Sequence, residues 1–408
     1  MLTYKKPRVA ALGFFDSNTK SNIVQIVKRK TSMNEGIKLV SPKQSEIIYS
    51  GRIDFTDPEA PVLVYAASFF KVRFTGKTCR LTFENRKAWA ENSLGIILDG
   101  VQGKLILKDS GKVTYDISET IRTEDGNLFP EDDFFKSLSE GEHELTVFKR
   151  QDGGQHYVTF FGLEIEEGAK VTKPAPLPEK KIEVIGDSVS CGEVCEAMDC
   201  VASSDPENNE GRYNNSYYSY SWQVARNLNM ELHDTSQGGI SLLDKTGWFN
   251  GPDDFRGVES CYDKLKYNPP LGESSWDYKL WKPDLVILAF GQNDANPKDI
   301  MKEEYDGEAA NRWRAEYEAF IKKLRTYYPG VTIVCITTLL MHDPAWDRAI
   351  DEVAQKINKE DAATKDSNQG GLYHFMFKRN GAATPGHPRI PEHEEMAREL
   401  VGFIKSVF

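Results

Sequence analysis

The chain has 408 residues, of which 39% are hydrophobic, 28% charged and 11% aromatic. These proportions exclude a disordered or collagen-like chain and leave room for two domains at roughly 100 to 200 residues each. Asp and Glu number 62 against 51 Lys and Arg, a formal charge of −11; this excess repels phosphate backbones and anionic lipid, so neither nucleic acid nor a membrane is an expected partner.

In chain order, the stretch Met1 to Pro7 is basic, but Gly13 and Asp16 break the next segment before the apolar core of a signal peptide forms. Residues 1–44 carry weak signals and are expected only as an N-terminal extension without assigned structure. From about Ser45 to Glu167 short alternating runs are each closed by a turn. Val72 and Phe74 lead to Thr75-Gly76-Lys77, and Cys79, Leu81 and Phe83 resume the alternation. Ile96 and Leu98 lead to Asp99-Gly100, a strong hairpin dipeptide. Leu105 and Leu107 run to Ser110-Gly111, then Val113, Tyr115 and Ile117; Leu145 and Val147 run to Asp152-Gly153-Gly154, then Tyr157 to Ile165. This spacing predicts a β-sandwich over 45–172.

Pro174-Ala175-Pro176-Leu177-Pro178 comes next, and three prolines so close together predict an extended connector over 173–180. Beyond it the rhythm becomes strand, loop, helix. Ile182 to Ile185, Leu232 to Thr235, Leu285 to Phe290, Val331 to Leu340 and Leu372 to Phe377 are expected strands. Tyr218, Trp222, Ala225 and Leu228 keep helical spacing, as do Trp313, Tyr317, Phe320, Ile321 and Leu324, and Pro391 opens a last helix with Met396, Leu400, Phe403 and Ile404 inward. Repeated βα units predict a three-layer α/β/α domain with a parallel sheet over 181–408. The fold class is therefore multidomain, β followed by α/β.

Open parallel sheets bind ligands beyond the carboxyl ends of their strands. Those positions collect Gly186-Asp187-Ser188, then Ser236-Gln237-Gly238-Gly239, then Gly291-Gln292-Asn293-Asp294, and finally a loop to Gly386-His387-Pro388. A serine hydroxyl attacks an ester only when an imidazole takes its proton, and the carbonyl oxygen then needs donors placed for the developing charge. Ser188 and His387 are the expected nucleophile and base. The backbone N–H groups of Ser188 and Gly239, with the Asn293 amide, are the expected oxyanion donors.

Ile185 to Gly192, Gly239, Gly291 to Asp294 and His387-Pro388 match in order the four blocks of the SGNH (GDSL-type) hydrolases, which the chain resembles. Ile48-Tyr49-Ser50-Gly51-Arg52 and Gly141-Glu142-His143-Glu144-Leu145, in a β-rich half joined by prolines to the Gly-Asp-Ser strand, resemble the jelly-roll-plus-SGNH layout of family 2 carbohydrate esterases over residues 46 to 408. The resemblance implies removal of O-acetyl groups from polysaccharides such as xylan or glucomannan, through an acyl-enzyme and with no metal or organic cofactor. An acetylated polysaccharide or oligosaccharide is then the expected partner, and export to the cell surface or beyond the expected location, with the cytoplasm as the other. Trp346 is expected to stack a sugar ring, as an aromatic in this part of the chain does in similar esterases, or else to be an ordinary packing residue; Trp248 is a further candidate.

One departure from the family pattern matters. The family commonly carries Asp three residues before the catalytic His, where this chain has Thr384. A Ser188–His387 dyad is therefore expected, with a main-chain carbonyl or a distant polar group holding the imidazole. His393 is a rival expected to pack instead, and His342 is a candidate for the crevice rim. Cys191, Cys195, Cys200 and Cys261 fall in polar, loop-like segments and fit either two disulfides or free thiols; no His accompanies the first three for a zinc site. Two other readings remain: an esterase of small acyl or aryl esters or of another acetylated glycan, and a glycan-binding protein whose hydrolase half has decayed.

Overall fold

The computed structural model of the chain describes residues 36–251, 253–364, 369–381 and 384–408. Most of the N-terminal extension, residues 1–35, lies outside them. Among the described residues, no helix is long and apolar enough to cross a membrane.

The N-terminal half is two antiparallel sheets face to face. One is six-stranded, built around His156–Glu166 and Cys79–Lys87; the other is eight-stranded, built around Phe69–Thr75, Ser93–Leu98 and Glu142–Lys149. Alternation explains the core. Phe70, Val72 and Phe74 point inward while their neighbours face out, and Phe70 stacks on Phe160 of the opposite sheet at 4.0 Å between ring centroids. Asp99-Gly100 closes the hairpin between Ser93–Leu98 and Val101–Ile106, with φ of 50° and 86° at its two central residues. The glycine pair after Asp152 does something different: it carries the chain from one sheet to the other.

Residues 173–178 carry neither helix nor strand. Beyond them, five parallel strands lie in the order Glu231–Asp234, Lys181–Ile185, Leu285–Ala289, Thr332–Ile336 and Leu372–His374. The last two are shorter than predicted. Alternate residues serve two helical layers. Ile287 and Ala289 pack with helices Tyr220–Leu228 and Ile390–Val407, whereas Val286 and Leu288 pack with Glu308–Tyr327 and Ala345–Thr364. The helix Ala345–Thr364 is not among the predicted elements, although Trp346, Ile350, Val353 and Ile357 bury one face of it.

The two halves are fastened by buried charge. Arg52, from the Ile48-to-Arg52 segment, donates to Glu183 in the first parallel strand at 2.7 Å and to the Tyr262 carbonyl at 2.7 Å. Its guanidinium lies over the Tyr262 and Trp276 rings. A buried charge with every partner in place fixes one docking geometry, and removal of either partner leaves an uncompensated ion.

Candidate active site

All strands of the parallel sheet end at one edge, and the residues singled out in the sequence meet there. Ser188 follows strand Lys181–Ile185 and opens the short helix Ser188–Cys191; Asp187 caps it, its Oδ1 accepting from the Val189 N–H at 3.0 Å. His387 reaches the same edge from the far end of the chain. The two side chains meet at 2.8 Å between His387 Nε2 and Ser188 Oγ.

The expected dyad is corrected by Asp205. Its Oδ2 lies 2.6 Å from His387 Nδ1, and its Oδ1 accepts from the His387 backbone N–H at 2.9 Å and from the Arg389 guanidinium at 2.9 Å. Burial raises the Asp205 carboxyl, but its bonds to His387 and the charge of Arg389 outweigh that and hold it at about 2. The acid lies 182 residues before the histidine, so no local motif marks it. Position 384 has a different role: the Thr384 hydroxyl donates to the Gly386 carbonyl at 2.8 Å and shapes the loop before His387. Arg389, fully buried, donates also to the carbonyls of Ala197 and His387, tying the acid loop to the histidine loop.

Gly239 and Asn293 line the same crevice as Ser188 and His387, a cavity of about 550 Å³. Gly239 has φ +73°, and a Cβ there would lie 2.9 Å from the Trp248 Cβ, so both conformation and space demand glycine. The Asn293 amide is already engaged, donating to Asp187 Oδ2 at 3.0 Å and to the Ile240 carbonyl at 3.1 Å. Gln292 donates to the same Asp187 oxygen at 2.6 Å. Burial pushes the Asp187 carboxyl up to about 6, against the lowering by the Gln292 amide and the Val189 N–H.

Other expectations are corrected as well. Trp346 is fully buried, packed edge-on against Trp313, with its Nε1 donating to Asp299 at 3.0 Å; no face is left for a sugar. Its register explains this, because it points into the layer shared by helices Glu308–Tyr327 and Ala345–Thr364. Trp248 instead is 61% exposed and borders the crevice. Among the described residues no cysteine is in a disulfide: Cys191, Cys195 and Cys261 are buried thiols, with Cys195 donating to the Asn215 carbonyl at 3.3 Å. His342 stays off the crevice lining and is held between Asp347 at 3.0 Å and the Leu340 carbonyl at 2.7 Å. His393 packs, as expected; it is buried, stacks on Tyr220 and accepts that residue's N–H at 3.1 Å. Burial and the neighbouring His387 and Arg389 push its imidazole down to about 3.

Several further residues at the site carry no sequence signal for a role there. Asp152, from the sheet-switching turn of the β-sandwich, accepts the Gly238 N–H at 3.2 Å and those of Gly154 and Gln155 at 2.8 and 3.1 Å, so the first domain props the glycine pair of the second. Glu193 stands against Gly238, where a Cβ would lie 1.8 Å from its Oε1. Burial and the Asp152 carboxylate push the Glu193 carboxyl well above the usual range. Trp89, from the β-sandwich, also lines the crevice.

Residues 184–389 match the GDSL-like lipase/acylhydrolase family and residues 49–126 the carbohydrate esterase 2 N-terminal family. The chain is 27% identical over 367 residues to the cellulase/esterase CelE of Acetivibrio thermocellus, an alignment covering 88% of this chain and 39% of that longer protein. An acetylxylan esterase/glucomannan deacetylase of Cellvibrio japonicus is 24% identical over 394 residues, covering 95% of this chain and 96% of that one. A family two carbohydrate esterase from Clostridium thermocellum, solved in complex with cellohexaose, shares the fold at a TM-score of 0.67 and 24% identity, over 88% of this chain and 98% of that one.

Proposed function

The chain belongs to the GDSL-like lipase/acylhydrolase family, and from that premise we propose that it removes O-acetyl groups from plant polysaccharides of the xylan and glucomannan kind. The observation that carries the reading is the 2.8 Å contact between Ser188 Oγ and His387 Nε2 at the mouth of a crevice lined by Gly239 and Asn293. In this reading His387 takes the Ser188 proton as the hydroxyl attacks the acetyl carbon. Asp205, a carboxylate at any working pH, accepts the Nδ1–H and compensates the imidazolium that forms. The N–H groups of Ser188 and Gly239 receive the carbonyl oxygen, and the Asn293 amide joins them by exchanging one of its two present acceptors. The sugar hydroxyl leaves with the imidazolium proton, and water, deprotonated by the same imidazole, releases acetate from Ser188.

A carbohydrate leaving group is supported by polar lining from Glu193 and Gln237 beside an exposed indole at Trp248, the mixture that suits a ring with hydroxyl edges and C–H faces. It is supported too by the acetylxylan esterase among the relatives. The test is acetate release from acetylated xylan, acetylated glucomannan and a short series of aryl esters, with Ser188→Ala beside the wild type. Ser188→Ala with undiminished activity refutes the site, and activity confined to the aryl esters refutes the carbohydrate reading.

A further inference from the structure

The crevice does not end at the catalytic residues. Trp89 lies just after strand Cys79–Lys87, is 53% exposed, and forms part of two walls at once. It lines the crevice that holds Ser188 and His387, and it lines an adjoining cavity of about 490 Å³ whose other walls include Lys87, Glu91, Asn92, Asp109 and Glu210. A single exposed apolar side chain is ordinary on a protein surface; what distinguishes Trp89 is that it lines two adjoining cavities, one of them holding Ser188 and His387.

The segment that presents it is rigid. The N–H groups of Ala88 and Trp89 both donate to the Gln155 carbonyl, at 2.9 and 3.2 Å, and the Asn92 amide donates to the Trp89 carbonyl at 3.1 Å. Ala90 holds φ +69°, a strained value for a residue with a side chain. The Glu91 N–H donates to the Glu210 carbonyl at 2.9 Å, so the second domain clamps the same loop. Beyond the indole the cavity is polar: Lys87 pairs with Asp109 at 2.7 Å, and Asn85 donates to the other Asp109 oxygen at 3.3 Å. A flat apolar face followed by hydrogen-bonding groups is the chemistry that receives a sugar ring by its C–H face and its hydroxyls by their edges.

We propose that Trp89 and the Lys87–Asp109–Glu210 cavity form a glycan subsite built mainly by the β-sandwich, with Glu210 from the second domain, taking the sugar units that flank the acetylated one. The carboxylates there are paired, Asp109 with Lys87 at 2.7 Å, Glu91 with Lys104 at 3.3 Å and Glu210 with Arg212 at 3.9 Å, so each of these cations already holds a carboxylate and the occupant is an uncharged stretch of glycan and not one bearing uronic acid. This rests on the carbohydrate-ester reading of the crevice and deepens it. The β-sandwich thereby sets substrate length, while the parallel-sheet domain supplies the acyl chemistry.

The experiment compares kcat/KM for acetate release from acetylated xylose and from acetylated xylotetraose, taken as a ratio within each variant. Trp89→Ala is expected to lower the tetraose-to-monomer ratio about five- to tenfold, through KM; Trp89→Phe, which keeps a stacking face, restores most of it. A ratio unchanged in Trp89→Ala overturns the subsite, provided the wild type deacetylates both sugars. Wild-type activity on 4-nitrophenyl acetate with none on either sugar instead refutes the carbohydrate reading itself. In a second arm, titration calorimetry with Ser188→Ala is expected to show xylotetraose binding weakened by Trp89→Ala and a glucuronic-acid-bearing xylotetraose bound less tightly than the plain one. Equal affinity for the two glycans overturns the charge argument.

Discussion

Replacing Asp205 with Asn keeps the shape of the acid that holds His387 and removes its charge. Unit charges 4 Å apart interact by about 4 kcal/mol at an effective dielectric near 20, which sets the scale for a carboxylate facing an imidazolium through a 2.6 Å hydrogen bond. Two features reduce it: the Asp205 side chain is 28% exposed, and Arg389 already shares its other oxygen. About 2 to 3 kcal/mol then remains for the transition state, roughly a 30- to 150-fold loss in kcat. The assay is initial-rate acetate release on one acetylated oligosaccharide and on 4-nitrophenyl acetate, with the melting temperature recorded for both proteins. If Asp205→Asn is folded and its kcat lies within threefold of the wild type on both substrates, the carboxylate does not serve the imidazole and the two-residue mechanism stands after all.

Gly239→Ala forces a side chain into φ +73° and 2.9 Å from Trp248, displacing one proposed oxyanion donor; kcat should fall on the order of 10²-fold with KM little altered, measured by the same rates. Trp346→Ala should cost about 3 to 5 kcal/mol of stability by emptying a core position, read from denaturant unfolding, with KM for acetylated oligosaccharide unmoved. Arg52→Met leaves Glu183 buried without its partner and should cost about 3 to 5 kcal/mol, with Glu183→Gln on top recovering part of it. Burial pushes the Asp234 carboxyl up from 3.8 to about 8. The folded chain therefore holds a proton that the unfolded chain has lost, and stability falls as pH rises from about 4 to 8. Differential scanning calorimetry should show a lower melting temperature at pH 8 than at pH 5.5, with the difference reduced in Asp234→Asn.

Local chemistry settled much of this protein without any coordinates. Alternation of Phe70, Val72 and Phe74, the Asp99-Gly100 turn, and the apolar run Leu285 to Phe290 each depend on neighbours within a few residues, where backbone geometry and side-chain period act directly. Ser188, Gly239, Asn293 and His387 were legible as candidates for a related reason: the first three come soon after strand ends, His387 follows the last strand through a loop, and parallel strands must deliver their carboxyl ends to one edge.

What folding alone decided involves partners far apart in the chain or the aim of a side chain. Asp205 sits in a segment with no strand, helix or motif of its own, and only the packing of its loop against Arg389 brings it to His387. Asp152 and Trp89 belong to the first domain, yet one braces Gly238 and the other lines the second domain's crevice, a relation set by the docking that Arg52 and Glu183 fix. Trp346 and Trp248 are chemically identical in the sequence, and the helix register that buries one while a loop exposes the other is a property of the assembled layers. Short-range preferences name the groups capable of the chemistry; which of them share a dielectric cavity depends on long-range contacts that no window of sequence contains.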